Sequence, residues 1–215
     1  MNRPTRLMAS AMVASAALLL TACGSGGSDN DTADTVKGAS DGDEKASASA
    51  DATSQPDGTK RPEIKLPKSF QVDFTGWKNS DPQLQAILDD GKEELRAKYA
   101  AIIEANPESE AVRFYDSGTS LTTARKWIKS FVETDDSLIG EIKAYDPKVN
   151  VSSKDSAVFF YCVDESKGST KDRKTGEVTH TPAKTALVLY WTKLSKSDNG
   201  VWKTTTVQTE PGACK

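Results

Sequence analysis

The chain has 215 residues, 36% of them apolar and 27% charged, with a formal net charge of −3. That balance excludes a membrane protein of many spans and lacks the basic surplus of a nucleic-acid binder. Cys162 and Cys214 with the one histidine, His180, fall short of the four ligands of a structural zinc site.

Met1 to Arg6 carries two arginines and no acid, and Leu7 to Leu20 is apolar or small throughout. That run falls short of the roughly 20 apolar residues that span a bilayer, so residues 1–22 read as a secretory signal peptide. Arg3 and Arg6 are not adjacent, which points to the general secretion route. The signal ends in Leu20-Thr21-Ala22-Cys23, which resembles a bacterial lipobox. The resemblance implies diacylglyceryl transfer to the Cys23 sulfur, cleavage before it and palmitate-type acyl chains. Two or three such chains hold a protein stably on a membrane. The expected location is therefore the extracytoplasmic face of the cell membrane, with the membrane itself as the first partner.

Residues 23–60 form the next unit. From Gly24 to Lys60 the chain is mostly Gly, Ser, Ala, Thr and Asp, with no aromatic residue. Such a segment cannot bury enough apolar area to offset its ordering entropy, and reads as a disordered tether. It holds eight acids and three lysines, whereas Arg61 to Lys215 balances at 23 against 23. The net acidity belongs to the tether and says nothing about a ligand of the domain.

Residues 61–215 are enough for one domain. Phe70, Val72, Phe74 and Trp77 predict an extended arm with its aromatics turned inward. Asp81-Pro82 predicts a helix start. Leu84, Ile87, Leu88, Leu95, Tyr99, Ile102 and Ile103 continue at helical spacing to Asn106-Pro107. Gly91 falls on the apolar stripe, where close approach of another backbone would explain it. A short helix over 109–115 and a second long one over 120–133 follow. The pattern then alternates, predicting strands at 137–145, 157–164, 185–194 and 201–209, with a short one near 149–151. Asp198-Asn199-Gly200 reads as a hairpin turn whose residues tolerate positive φ. The charged stretch from Glu165 to Pro182 reads as a long exposed hairpin loop, with Lys167, Lys171, Arg173 and Lys174 in solvent. Helices followed by an antiparallel sheet of about four strands give an α+β fold.

The runs Arg113-Phe114-Tyr115, Ala124 to Lys129, Tyr161-Cys162-Val163-Asp164 and Gly212-Ala213-Cys214 resemble those of secreted actinobacterial lipoproteins. The domain of that family is similar to the cone-shaped nuclear-transport-factor-like fold, which implies helices packed on a curved antiparallel sheet. The fold hosts isomerases, dehydratases and noncatalytic binding modules alike, so it does not decide function. In the mouth of such a cone, Tyr99, Tyr115, Asp116 and Trp127 are the candidate pocket residues.

No set of residues for catalysis converges in the sequence. His180 sits among hydroxyls and a proline, where an exposed histidine is the plainer reading. Asp116 and Asp146, each beside a tyrosine, have turn or helix-end explanations. No catalytic residue, metal ligand or cofactor is assigned. The favoured reading is a noncatalytic envelope module that binds another protein or a small apolar ligand, and not nucleic acid. The alternative is a cofactor-free isomerase or dehydratase using a Tyr–carboxylate pair.

With Cys23 acylated, Cys162 and Cys214 are the remaining thiols, and outside the membrane they are expected to form a disulfide. The strands 158–163 and 186–191 are apolar on both sides, unlike a sheet with one wet face. The arm from Phe70 to Trp77 is the first candidate to cover the outer face, and a homodimer the second.

Overall fold

The computed structural model describes residues 58–215. The expected signal peptide, Cys23 and the tether up to residue 57 lie outside the described residues. The elements run β1 (Phe70–Phe74), α1 (Pro82–Ile103), α2 (Glu110–Tyr115), α3 (Gly118–Glu133), β2 (Asp136–Ser153), β3 (Ser156–Asp164), β4 (Gly168–Asp172), β5 (Val178–His180), β6 (Leu187–Lys196) and β7 (Trp202–Pro211). The class is α+β, as expected, with the helices packed on a curved, unclosed sheet. That sheet has seven strands rather than four.

The long helix α1 begins where the sequence places it. The Asp81 side chain accepts from the backbone N–H groups of Gln83 and Leu84, and Pro82 takes the first helical position. Its last carbonyls, Ile102 and Ile103, accept from the Arg173 guanidinium, at 2.6 and 3.2 Å to Nη2. Arg173 also donates to the Asp136 carbonyl. The expectation that this cation lies in solvent is corrected: it is half-buried and caps a helix. Helix α3 starts at Gly118, two residues before the expected position.

The strand β2 is the spine. Its first part, Asp136–Gly140, pairs with β4 and its remainder with β3, both antiparallel, while β1 runs parallel along its opposite edge. The sequence predicts a break after Tyr145. The structure instead keeps one 18-residue strand with a bulge at Asp146-Pro147, where the register shifts between Tyr145 and Lys148. A proline without an N–H fits such a bulge. Gly140, where the pairing changes, has φ of 98°, and an added Cβ there would lie 2.2 Å from the Lys167 carbonyl oxygen.

The segment from Glu165 to Pro182 is a hairpin, but it joins the sheet as β4 and β5 instead of standing in solvent. His180 is exposed, as expected, yet lies in β5 with its Nδ1 2.9 Å from the Ser169 hydroxyl. In the β6–β7 turn only Gly200 takes a positive φ, of 86°.

The arm is a structural part of the core. Phe70 lies 5.3 Å from the Tyr99 ring, and Trp77 meets Phe159 and Tyr161 at 5.1 and 5.2 Å. Those contacts are on the helix-facing side of the sheet. The expectation that the arm covers the outer face is therefore overturned: as a parallel edge strand on β2, it turns its aromatics into the inner layer. Gly91 is explained by the same packing. An added Cβ would stand 2.8 Å from Phe159 Cε1, so the close neighbour is a ring and not a backbone. Upstream, Arg61 Nε lies 2.8 Å from Asp90, whose second oxygen accepts the Trp202 N–H at 2.9 Å. This buried pair clamps the start of the domain to α1 and β7.

Candidate functional site

Two places in the fold carry more chemistry than packing requires. One is inside, between α1, the α2–α3 junction and the inner face of β3 and β6. The other is the outer face of the sheet.

Inside, Glu94 and Lys98 sit one turn apart on α1 and form an ion pair, with side chains 3% and 6% exposed. Lys98 Nζ is also 3.3 Å from Asp116 Oδ1, and Asp116 is fully buried. The Ser120 hydroxyl donates to the same oxygen of Asp116. The backbone holds Asp116 from both sides: its N–H donates to the Val112 carbonyl at the end of α2, and Ser117 donates to Thr204 on β7. Asp116 Oδ2 is buried as well, and the Asp116 carboxyl shares a hydrogen bond with Glu94. One cation thus faces two carboxyls in a dry place.

Burial pushes the Glu94 carboxyl up to about 7, with Lys98 pulling it down and Asp116 pushing it up. Burial also opposes the Lys98 charge, but Glu94 and Asp116 together hold its pKa above the ordinary range. Around them stand Tyr99, Tyr161 and Tyr190, whose phenols burial raises above their usual range. Tyr161 and Tyr190 stack at 4.9 Å. The Tyr99 hydroxyl is buried, lies beside that of Tyr190 and makes no hydrogen bond of ordinary geometry.

A carboxyl whose pKa rises on folding contributes stability that is full below its unfolded value. That contribution is lost as pH climbs through the folded one. For Glu94 the window runs from 4.5 to about 7. The groups facing it are Lys98 on the same helix, Asp116 at the helix junction, and Tyr161 and Tyr190 on the sheet. Stability is expected to fall by about 3 kcal/mol from this group between acidic and mildly alkaline pH. Glu93 and Glu165 are also raised by burial and slope the same way, so the comparison is between variants. Urea melts of Glu94→Gln should show a flatter pH profile than the parent; parallel profiles would contradict the assignment.

Of the four pocket candidates, the structure brings Tyr99 and Asp116 into this buried region. Tyr115 is fully buried in a second cluster with Ile64, Val112 and Ile128, and Trp127 is half-buried with its ring 5.9 Å from Tyr99. Tyr99, Tyr115 and Asp116 are all buried. Glu94 and Lys98 were missed, because a Glu–Lys pair at i,i+4 ordinarily marks a solvated helix face.

On the outer face, cross-strand register sets the rows. Lys148, Phe160, Trp191 and Gln208 form one row, and Tyr145, Cys162, Leu189 and Glu210 the next. Phe160 and Trp191 meet at 6.4 Å, and Lys193 lies 5.3 Å above the Trp191 ring. Tyr145, Phe160, Leu189 and Trp191 remain half-exposed. Cys162 also points outward and is bonded to Cys214, with Cα atoms 6.0 Å apart. The C-terminal residues therefore cover the edge of this face and leave its centre open.

Two hollows among the described residues are small. One, of about 60 Å³, lies between Glu141, Lys143, Asp164 and Lys167. The other, of about 210 Å³, is on the outer face beside Leu189, Trp191 and Glu210. Both fall below the roughly 300–1,000 Å³ of small-molecule sites. The described residues hold no group of three or more His, Cys, Asp or Glu side chains arranged for a metal ion, and no helix long and apolar enough to cross a membrane.

No family model and no curated protein sequence matches the chain. Solved structures similar to it include a nuclear transport factor 2 (NTF2-like) superfamily protein from Salmonella enterica serovar Typhimurium. The identity is 15%, covering 58% of this chain and 90% of that one, with a TM-score of 0.41. A ketosteroid isomerase-like protein from Erwinia carotovora shares 19% identity over 56% of this chain and 92% of its own, with a TM-score of 0.38. A hexachlorocyclohexane dehydrochlorinase, LinA-type3, from Novosphingobium barchaimii shares 11% over 61% and 90%, with a TM-score of 0.42.

Proposed function

We propose that this chain is a noncatalytic binding module of the cell envelope, lipid-anchored at Cys23, that docks another protein on the outer face of its sheet. The observation that carries the reading is the contrast between the two faces. The inner ionizable groups are packed away from any substrate, whereas Tyr145, Phe160, Leu189 and Trp191 stand half-exposed on a continuous sheet surface. Aromatic anchors with a lysine and polar residues at their rim are the composition of a protein-binding patch. The small volume of the adjoining hollow favours a protein over a small apolar ligand. The Leu-Thr-Ala-Cys motif supports the anchor, and a tether of some 37 residues would give the domain a reach on the order of 30–35 Å.

One observation favours the second reading, a cofactor-free isomerase or dehydratase. Glu94, with its raised pKa, lies among three phenols, as an acid–base site would need. That reading requires the cluster to open to a substrate.

The test is photo-cross-linking from position 193, beside Trp191, in cells carrying the anchored chain. A discrete protein adduct supports the module. Cys23→Ser is expected to move the chain from the detergent phase to the aqueous phase without unfolding it.

A further inference from the structure

The buried cluster has a use that neither a stable ion pair nor an open active site accounts for. Lys98 Nζ is held between two carboxyls, one of which belongs to a different helix junction. Asp116 Oδ1 accepts from Ser120 and lies 3.3 Å from Lys98 Nζ, and Asp116 Oδ2 is equally buried. Glu94 also shares a hydrogen bond with the Asp116 carboxyl, which places the proton carrier against both Lys98 and Asp116. Keeping three ionizable groups in an apolar interior is itself costly, and well-packed neutral groups are often as stable.

We propose that Lys98 and Asp116 condense into an intramolecular amide, an isopeptide bond between α1 and the α2–α3 junction, with Glu94 carrying the protons and Ser120 holding the carbonyl oxygen.

The step balances without a co-reactant. The Lys98 ammonium loses a proton through Glu94 to the Asp116 carboxylate, giving a neutral amine and a carboxylic acid. The Nζ lone pair attacks Asp116 Cγ, and the Nζ–Cγ bond forms. Glu94 accepts a second proton from Nζ and delivers it to Oδ2 as the Cγ–Oδ2 bond breaks. One water leaves, Glu94 ends as it began, and nothing is oxidised or reduced. The Ser120 hydroxyl donates to Oδ1 throughout, where negative charge develops in the tetrahedral intermediate.

Condensation of an amine with an acid is unfavourable in water, but two features of the fold reverse the balance. The groups are held in contact by elements packed on three sides, which corresponds to effective molarities of order 10⁵–10⁸ M. The surroundings exclude water, and the amide product removes two charges from an apolar interior. The raised Glu94 carboxyl adds support, since a group that titrates near neutrality can both take and give a proton. Asp116 is the acceptor, and Glu94 is not, because Ser120 polarises the Asp116 carbonyl.

The test is a tryptic digest of the purified full chain after reduction of its disulfide. A bonded Lys98 resists cleavage, so peptide 97–113 should appear joined to peptide 114–125 and one water lighter than their sum. Fragmentation should place the join between Lys98 and Asp116. Glu94→Gln is expected to yield 99–113 and 114–125 as separate peptides, with Lys98 cut. The parent chain alone decides the matter, so a variant that fails to fold does not blunt the test. Free Lys98 in the parent, or a join between Lys98 and Glu94, would overturn the proposal.

Discussion

Replacing Trp77 by alanine is expected to cost about 3–5 kcal/mol, the range for a large aromatic side chain removed from a packed core. Trp77 is 1% exposed. Its indole N–H donates to the Ala144 carbonyl at 3.2 Å, and its ring contacts Phe74, Phe159 and Tyr161. The indole is the wedge between α1 and the inner face of the sheet, and its loss leaves a cavity that Gly91 cannot fill. Urea denaturation of Trp77→Ala should show the midpoint falling accordingly, and β1 should lose hydrogen-exchange protection before the rest of the sheet. A cost below about 1 kcal/mol, that of an ordinary surface change, would mean that the arm is not part of the core.

The second large effect is the loss of the Cys162–Cys214 bridge. It closes a loop of 52 residues, for which the chain-entropy account gives about 4 kcal/mol. The double variant Cys162→Ser, Cys214→Ser is expected to approach that loss in denaturant melts. Thiol counting on the unreduced parent chain, denatured, should find neither cysteine free. Two free thiols, or a double variant as stable as the parent, would contradict the bridge's role in fastening the chain's end across the outer face.

How much could be read beforehand differs from element to element. Helix α1 was legible because a local cap and a long apolar stripe agree. The four longer β-rich stretches were legible from alternation. The β4–β5 hairpin was legible as a hairpin, but its place in the sheet was not, because Gly168-Ser169-Thr170-Lys171-Asp172 has no apolar period. It is held by backbone pairing to β2, and by an arginine whose target, the end of α1, is 70 residues away in sequence. The inward turn of the arm's aromatics was legible. The layer they enter was not, since it depends on β1 pairing in parallel with β2. Asp116 stood out by its tyrosine neighbour, whereas Glu94 and Lys98 look like a solvated pair until the helices of the junction close over them. The outer face was announced by strands apolar on both sides, and it is the part of the functional reading that owes most to sequence pattern.

The most direct measurement compares cross-linking from two positions of the anchored chain in the envelope. Position 193 is exposed beside Trp191 on the outer face. Position 129 lies on α3, at a side chain 65% exposed in solvent. A photoreactive residue at 193 is expected to give one discrete adduct, weakened by Trp191→Asp, and the same residue at 129 to give none. An adduct of two copies of this chain would make the partner a second molecule of the same protein. No adduct from position 193, or the same adducts from both positions, would show that the outer face docks nothing and would contradict the account.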